Sequence, residues 1–433
     1  MTDTIFALSS GSLPSGVAVV RISGPQAADI AKRISSVWPE PGLLRLSKLT
    51  DPKAGELLDR GMFVRFESPN SFTGEDVAEF HCHGGRATVS RLLDVLGNYP
   101  HCRLAEAGEF SKRAFENGKM DLTEIEGLAD LLAAETETQR QLALNQSSGS
   151  LREKYEDWHA EITHCRAMME AEFDFSDEED VPEQISNTIW ERVSNLKSKL
   201  QSHLDDARHG EIIRDGFRIV LMGPPNAGKS SLLNALARRD IAIVTSVAGT
   251  TRDLLVSALD IDGIKVLVTD TAGIRCTQDE VELEGINRAT RASQLADLIL
   301  WLQPAGEPVS SDIPDNAVLV RSKGDLLDDL AANDELIINT VTENGLVGLL
   351  DYLKVRLSEI SISDHEPLIT RKRHRIAIEA ALAALEESSR TGLLPELRSE
   401  SLRIASDRLG VLIGRVDVED LLDVIFAEFC VGK

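Results

Sequence analysis

The hydrophobic pattern changes period several times along the chain. Up to about residue 118, short β-rich runs ("TIFAL", "GVAVVRIS", "GMFVRFES" and "DVAEFHCH") are separated by Gly, Pro and Ser, and "RATVSRLLDVLG" has the spacing of an amphipathic helix. From Lys119 the spacing becomes helical, through "MDLTEIEGLADLLAAETETQRQLALNQ" and "SLREKYEDWHAEITHCRAMMEAEF". The acidic stretch "DFSDEEDVPE", with Pro182, predicts a break. "TIWERVSNLKSKLQSHLDDARHG" predicts a further long helix, with Gly210 as its stop. From Phe217 strand-like runs ("FRIVLMG", "LLVSALDI", "KVLVTDT", "LILWLQ", "AVLVRS", "LIINT") alternate with helical stretches, the pattern of a doubly wound parallel sheet. "DIDG", from Asp260 to Gly263, predicts a hairpin and therefore one antiparallel edge. Beyond Ser358, "RKRHRIAIEAALAALEES", "ELRSESLRIASDRLG" and "VDVEDLLDVIFAEF" return to helical spacing. The simplest organisation is a helical domain interrupted by an α/β domain. Its segments are 1–118 (α/β), 119–214 (helical, first part), 215–358 (inserted α/β domain) and 359–433 (helical, second part).

Composition narrows the class. A chain of 433 residues with 42% hydrophobic content suggests several packed domains. A formal charge of −25 argues against wrapping nucleic acid directly, while leaving room for a local basic patch or a partner that supplies one. The five cysteines have no pairable spacing, which points to a reducing, cytoplasmic setting. The start "MTDTIFALSS" lacks the basic and apolar regions of a secretory signal. No apolar run approaches the roughly 20 residues of a membrane span.

The chemistry is densest after the first strand of the inserted domain. "GPPNAGKS" is Gly223-x4-Gly228-Lys229-Ser230, between a strand and a helix. That context suits a phosphate-binding loop: backbone N–H groups from Asn226 to Ser231 face the phosphates, Lys229 reaches them, and the Ser230 hydroxyl binds Mg²⁺. "GTTRD" follows, with Thr251 as a switch threonine over the same Mg²⁺, and then "DTAG", Asp270-Thr271-Ala272-Gly273, at the end of an apolar strand. In order, these elements are similar to those of translation-factor-like GTPases.

Where small signalling GTPases carry a water-orienting Gln, this chain has Ile274. Glu282 in "DEVELEG" is the expected replacement, among carboxylates that also read as a solvated helix face. Pro225 would crowd an arginine finger. The developing charge is instead expected to be met by K⁺, caged by the Asn226 amide oxygen and by the loop of Thr245, Ser246, Val247, Ala248, Gly249 and Thr250, chiefly through backbone oxygens at Thr245 and Val247. Arg252 is an alternative source of positive charge, or a brace for the loop. The base-reading motif is "SKGD": Asp325 accepts from guanine, Lys323 stacks along the ring, and Ser322 stands where Asn is usual. The later loop "NTVTENG" is also divergent, so guanine is expected with weakened affinity.

"DTIFAL", "VRISG", "SFTGEDVAEFHCHGG", "AEAGEFSKRAFENGKMDL", "GPPNAGKSSLLN", "GTTRD", "DTAGIR" and the final "FCVGK" together resemble, in order and from end to end, the tRNA-modification GTPase family MnmE (TrmE). The departures are "SKGD" and "NTVT". The resemblance implies an N-terminal α/β folate-binding-like domain that forms a homodimer, a helical domain, and an inserted Ras-like doubly wound G domain. It implies a tetrahydrofolate derivative as one-carbon donor, contacted by Arg21, Glu79, Lys119 and Lys433. It further implies GTP hydrolysis coupled to a C5 aminomethyl or carboxymethylaminomethyl addition on the wobble uridine of certain tRNAs. The implied partner is the flavoprotein MnmG (GidA), carrying FAD, in a heterotetramer. Cys430 in the tail would lie by the one-carbon donor; it reads either as a nucleophile or as a small buried hydrophobe. "HCH" invites a zinc reading, but a strand puts only His81 and His83 on one face and no second ligand pair accompanies them. A ribosome-assembly GTPase would share the G motifs without needing residues 1–118 or "FCVGK". A metabolic folate-dependent aminomethyl transferase would need no GTPase.

Overall fold

The computed structural model describes residues 3–174, 184–239, 241–243, 255–270, 293–326, 336–360, 367–416 and 432. The chain forms two compact units. One comprises Met1–Ala129, Ser147–Thr163 and Ser406–Lys433, the other Asp130–Gln146 and His164–Ala405.

In the first unit the four expected β-runs are strands β1 (Thr4–Leu8), β2 (Ser15–Ser23), β4 (Leu57–Phe66) and β5 (Val77–Gly84). Two more strands, β3 (Arg45–Thr50) and β6 (Cys102–Leu104), complete a sheet of order β3-β4-β5-β2-β1-β6, antiparallel but for the β1–β6 pair. Helices α1 (Ala27–Ile34) and α2 (Arg86–Gly97) cover one face. There Phe6, Val20, Ile22, Phe63 and Phe80 pack with Ile30, Ile34, Leu92 and Leu96. The other face holds a smaller cluster of Ile5, Ala7, Ala105 and Phe110, with Phe72 packed against it. This two-faced sheet follows from alternation in β2, whose residues from Val20 to Ile22 read buried, intermediate, buried. Helix α3 (Glu109–Glu116) leads to Gly118, whose φ of 64° lies in the left-handed region.

The helical spacing expected after Lys119 is realised as three helices, α4 (Leu122–Ala133), α5 (Glu137–Ser147) and α6 (Ser150–Asp174). Asp121 and Glu124 form a reciprocal cap at the start of α4. The Glu124 N–H donates to Asp121 Oδ1 (2.8 Å), and the Asp121 N–H donates to Glu124 Oε2 (2.7 Å). The expected break spans residues 174–183, of which 175–183 lie outside the described residues.

The stop assigned to Gly210 is corrected. Helix α7 (Gln184–Asp205) is followed by α8 (Ala207–Asp215), and Gly210 lies inside α8. The helix ends at Gly216, with φ of 100° and an N–H bond to the Ile212 carbonyl at 2.8 Å. Gly210 is needed for close approach: a Cβ there would fall 2.2 Å from the Ile369 carbonyl oxygen.

The second sheet contains β7 (Phe217–Met222), β8 (Leu255–Ile261), β9 (Ile264–Asp270), β10 (Leu298–Pro304), β11 (Ala317–Ser322) and the short β12 (Leu336–Ile337). Its order is β12-β11-β10-β7-β9-β8, parallel except for the β8–β9 hairpin. Asp262 and Gly263 make that hairpin's turn with φ of 51° and 84°, the two positive values a type I′ turn requires. β10 is buried at every position, as a central parallel strand must be. Helices α9 (Lys229–Ala237) and α10 (Val347–Ser358) pack Leu232, Leu236, Leu349 and Leu353 on the sheet. Helices α11 (Lys372–Ser388) and α12 (Pro395–Leu412) match the expected helical return. Residues 417–431, which include most of "VDVEDLLDVIFAEF" and Cys430, lie outside the described residues. The chain is thus multidomain, α/β plus helical. Among the described residues no helix is long and apolar enough to cross a membrane.

Candidate functional site

The loop between β7 and α9 is shaped by backbone that few residues adopt. Gly223 has φ of 137°, and a Cβ there would lie 2.1 Å from the Leu302 carbonyl oxygen of the adjacent β10. Asn226 and Gly228 also have positive φ, 63° and 90°. Pro225 and Asn226 are exposed at the tip, while Ala227 is fully buried beneath them. The helix that starts at Lys229 turns its N–H groups towards this loop, the arrangement that receives an anion.

Lys229 is buried, and its Nζ donates to the Gly223 carbonyl at 2.7 Å and to the Pro224 carbonyl at 2.8 Å. Burial lowers its pKa, against the opposing pull of the Asp270 charge. Ser230 Oγ donates to Asp270 Oδ2 at 2.6 Å, and Asp270, at the last position of β9, is fully buried. Two hard oxygen donors converge there, from the loop-helix and from the neighbouring strand. Ser231, exposed on the next position of the helix, lines an open groove with Asn234, Arg238, Thr340 and Thr342.

At the end of β11, Ser322 is 3% exposed, and its hydroxyl has no hydrogen-bond partner among the described residues. A Cβ added at Gly228 would sit 3.9 Å from Ser322 Cβ, so this residue abuts the phosphate loop. Lys323 takes a positive φ of 59°, and Asp325 is exposed in the one-turn helix Gly324–Leu326. The Gly324 N–H bonds the Ile338 carbonyl at 3.0 Å, tying "SKGD" to the segment before "NTVT". Within that loop, Asn339 Oδ1 accepts from the Val341 N–H at 2.7 Å. The residues Thr245, Ser246, Val247, Ala248, Gly249, Thr250, Thr251, Thr271, Ala272, Gly273 and Glu282 lie outside the described residues.

A second constellation lies in the other unit, on the sheet face away from α1 and α2. Arg21 and Glu79 are directly opposite on β2 and β5, with Arg21 Nε donating to Glu79 Oε1 at 2.9 Å. The Arg21 guanidinium lies over the Phe72 ring at 5.2 Å and near the Phe110 ring at 5.6 Å. His81, two residues along β5, bonds Glu79 Oε2 through Nε2 at 3.1 Å. Burial pushes the Glu79 pKa up, but the His81 hydrogen bond and the Arg21 charge outweigh it and hold the carboxylate below its usual range.

Lys119 is exposed, and its Cγ lies 3.2 Å from where a Gly74 Cβ would be, so it rests on the loop that carries Phe72. That loop is held by Ser23, which bonds Thr73 (2.7 Å) and Glu75 (2.8 Å), and by Arg113, 3.0 Å from Glu75. Gly432 returns to this sheet: a Cβ on it would fall 2.3 Å from the Leu8 carbonyl oxygen, one residue beyond the Ala7–Arg21 pair. Cys430 and Lys433 lie outside the described residues.

Sequence reasoning missed Phe72, Phe110, Glu75 and Arg113, and weighed His81 only as a metal ligand. All five stand in the motifs quoted above, but only pairing across β2 and β5 shows what they face. His83 turns to Asp59 instead, with Nδ1 to Oδ1 at 2.9 Å. Cys82, on the opposite face, has its thiol pushed up to about 11 by burial first and by the Asp59 charge second.

A doubly wound, mostly parallel sheet with a glycine-shaped loop opening the helix after its central strand, and with an exposed serine hydroxyl bonded to a buried aspartate at the end of the neighbouring strand, defines a G domain of the P-loop class. A family model described as "MnmE helical domain" matches residues 122–430, and one described as "GTP-binding protein TrmE N-terminus" matches residues 4–119. A "tRNA modification GTPase MnmE" from Rhizobium meliloti (strain 1021) is 50% identical over 438 residues, covering 100% of this chain and 99% of its own length. One from Brucella canis is 49% identical over 436 residues, covering 100% and 98%. The chain belongs to the MnmE (TrmE) family. Among solved structures, the G domain of the T. maritima FeoB iron transporter is similar at 21% identity and TM-score 0.24, over 33% of this chain and 98% of that one.

Proposed function

We propose that this chain hydrolyses GTP in the service of tRNA wobble-uridine modification. The observation that carries the reading is the pairing, in one chain, of the Lys229–Ser230–Asp270 loop with the Arg21–Glu79 constellation beside the tail glycine. In this reading the functional segments are 1–118 (folate binding and dimerisation), 119–214 and 359–433 (helical), and 215–358 (G domain).

Lys229 leaves the Gly223 and Pro224 carbonyls to meet the β- and γ-phosphates, and backbone N–H groups from Asn226 to Ser231 surround them. Ser230 Oγ and the Asp270 carboxylate fit Mg²⁺, since both are hard oxygen donors in contact with each other. Ser230 and Thr251 would hold the ion and Asp270 would hold its water shell; when bound, the ion would supply charge neutralisation at the phosphates. Glu282 orients the attacking water. Asn226, Thr245, Val247 and Thr250 would hold K⁺, which would supply positive charge for the phosphates.

Arg21, Glu79, Lys119 and Lys433 would hold a tetrahydrofolate derivative, whose one-carbon group Cys430 would serve. A homodimer of the chain works with the flavoprotein MnmG and its FAD, in the cytoplasm, on tRNA. The test is mass analysis of tRNA nucleosides from cells lacking the chain. Loss of the C5-aminomethyl class of uridine is expected, and an unchanged nucleoside profile refutes the reading.

A further inference from the structure

We infer that His81 is a positioning residue for ligand recognition at Glu79, and that it selects ligands with a two-donor edge such as that of a 2-aminopyrimidine-type ring. The inference rests on the folate reading of this face and adds to it a residue and a discriminating chemistry. The Glu79 side chain is only 14% exposed and is gripped from both sides, Oε1 by Arg21 at 2.9 Å and Oε2 by His81 at 3.1 Å. Its carboxylate is therefore fixed in plane, not free to rotate about its last torsion. An ionised carboxylate offers about four acceptor directions, so these two bonds leave about two for a ligand. Both remaining directions lie in that same plane, matching a flat ring that presents an N–H and an amino group side by side.

The surroundings suit a flat ring. Phe72 and Phe110 already accept the planar Arg21 guanidinium, and His81 keeps a quarter of its side chain exposed. The neighbouring histidine does not compete, because His83 is committed to Asp59. Nor does the intervening thiol, which lies on the opposite face and bonds the carbonyl of its cross-strand partner Ala18 at 3.6 Å. Removing His81 frees one carboxylate oxygen and lets Glu79 turn on Arg21 alone. The loss then falls on ligands that need both oxygens in register.

The experiment titrates the full chain with two probes: an air-stable 5-substituted tetrahydrofolate, and the same compound with its 2-amino group replaced by methyl. Wild type is expected to bind the amino compound more tightly. His81→Ala is expected to weaken the amino compound by about tenfold, the equivalent of one good hydrogen bond, and to leave the methyl compound unchanged. His81→Gln, which places an amide N–H where Nε2 stands, is expected to restore most of the difference. Equal weakening of both probes by His81→Ala means a merely structural role and overturns the inference, as does no weakening of either. Wild type that binds neither probe overturns the folate reading itself, and the inference with it.

Discussion

Ser322 offers the sharpest test of how the base-reading loop meets the phosphate loop. It is 3% exposed, and among the described residues its hydroxyl finds no hydrogen-bond partner. A buried hydroxyl left unpaired costs about 1–3 kcal/mol. Ser322→Ala should therefore keep or raise the melting temperature and leave GTP affinity unchanged. Ser322→Asn is the informative change. Ser322 Cβ lies 3.9 Å from the position of a Cβ on Gly228, a gap that a carboxamide one bond longer spans. A hydrogen bond from that amide to the phosphate loop is worth about 0.5–1.5 kcal/mol net, or about two- to tenfold tighter GTP. Both variants are measured by fluorescence titration with a labelled guanine nucleotide, alongside thermal melts. Tenfold weaker binding in Ser322→Ala would show that the hydroxyl is itself a nucleotide contact. Weaker binding in Ser322→Asn would show that the site is too tightly packed to accept the group, and either result refutes the reasoning.

Three further outcomes are expected. Asp121, 7% exposed, has its pKa raised to about 6, first by burial and also by the Glu124 charge. Because this folded-state value lies above the unfolded one, the native state binds the extra proton, and that stability is lost as pH rises through about 6; Asp121→Asn should thus gain about 1.4 kcal/mol on wild type between pH 5 and pH 8 in denaturant melts, and a pH-independent difference refutes it. Gly210→Ala should destabilise the second unit by about 1–3 kcal/mol or more, because its Cβ would meet the Ile369 carbonyl oxygen at 2.2 Å; an unchanged melt would show that α8 shifts freely. GTP turnover should be much faster in K⁺ than in Na⁺ at equal ionic strength, with Asn226→Ala erasing the difference; equal rates in wild type would move attention to Arg252 and to Arg275, the arginine that closes "DTAGIR".

The expected strands and most helices reappear where the apolar period is long or the punctuation strong. β10, seven buried residues, is readable as a central strand from its continuous apolar run. The β8–β9 hairpin is readable from "DG", because Asp-Gly is one of the few pairs that tolerate two positive φ values in succession. The phosphate loop is equally legible, since its function depends on residues adjacent in sequence. By contrast α1, with eight residues, is too short for periodicity to register, and β6, with three, carries no alternation at all.

Gly210 shows the limit in a single residue. Locally a glycine after a long helix reads as a stop, yet its reason is the carbonyl of Ile369, far along the chain. The Arg21–Glu79–His81 face is the same case at the scale of a site. Arg21 and Glu79 lie 58 residues apart, on β2 and β5, and two aromatic rings from other segments close around Arg21. Composition and period dictate local geometry, because backbone preferences act over a few residues. Which side chains face one another across a sheet depends on strand order and register, and those are set by how the whole core packs.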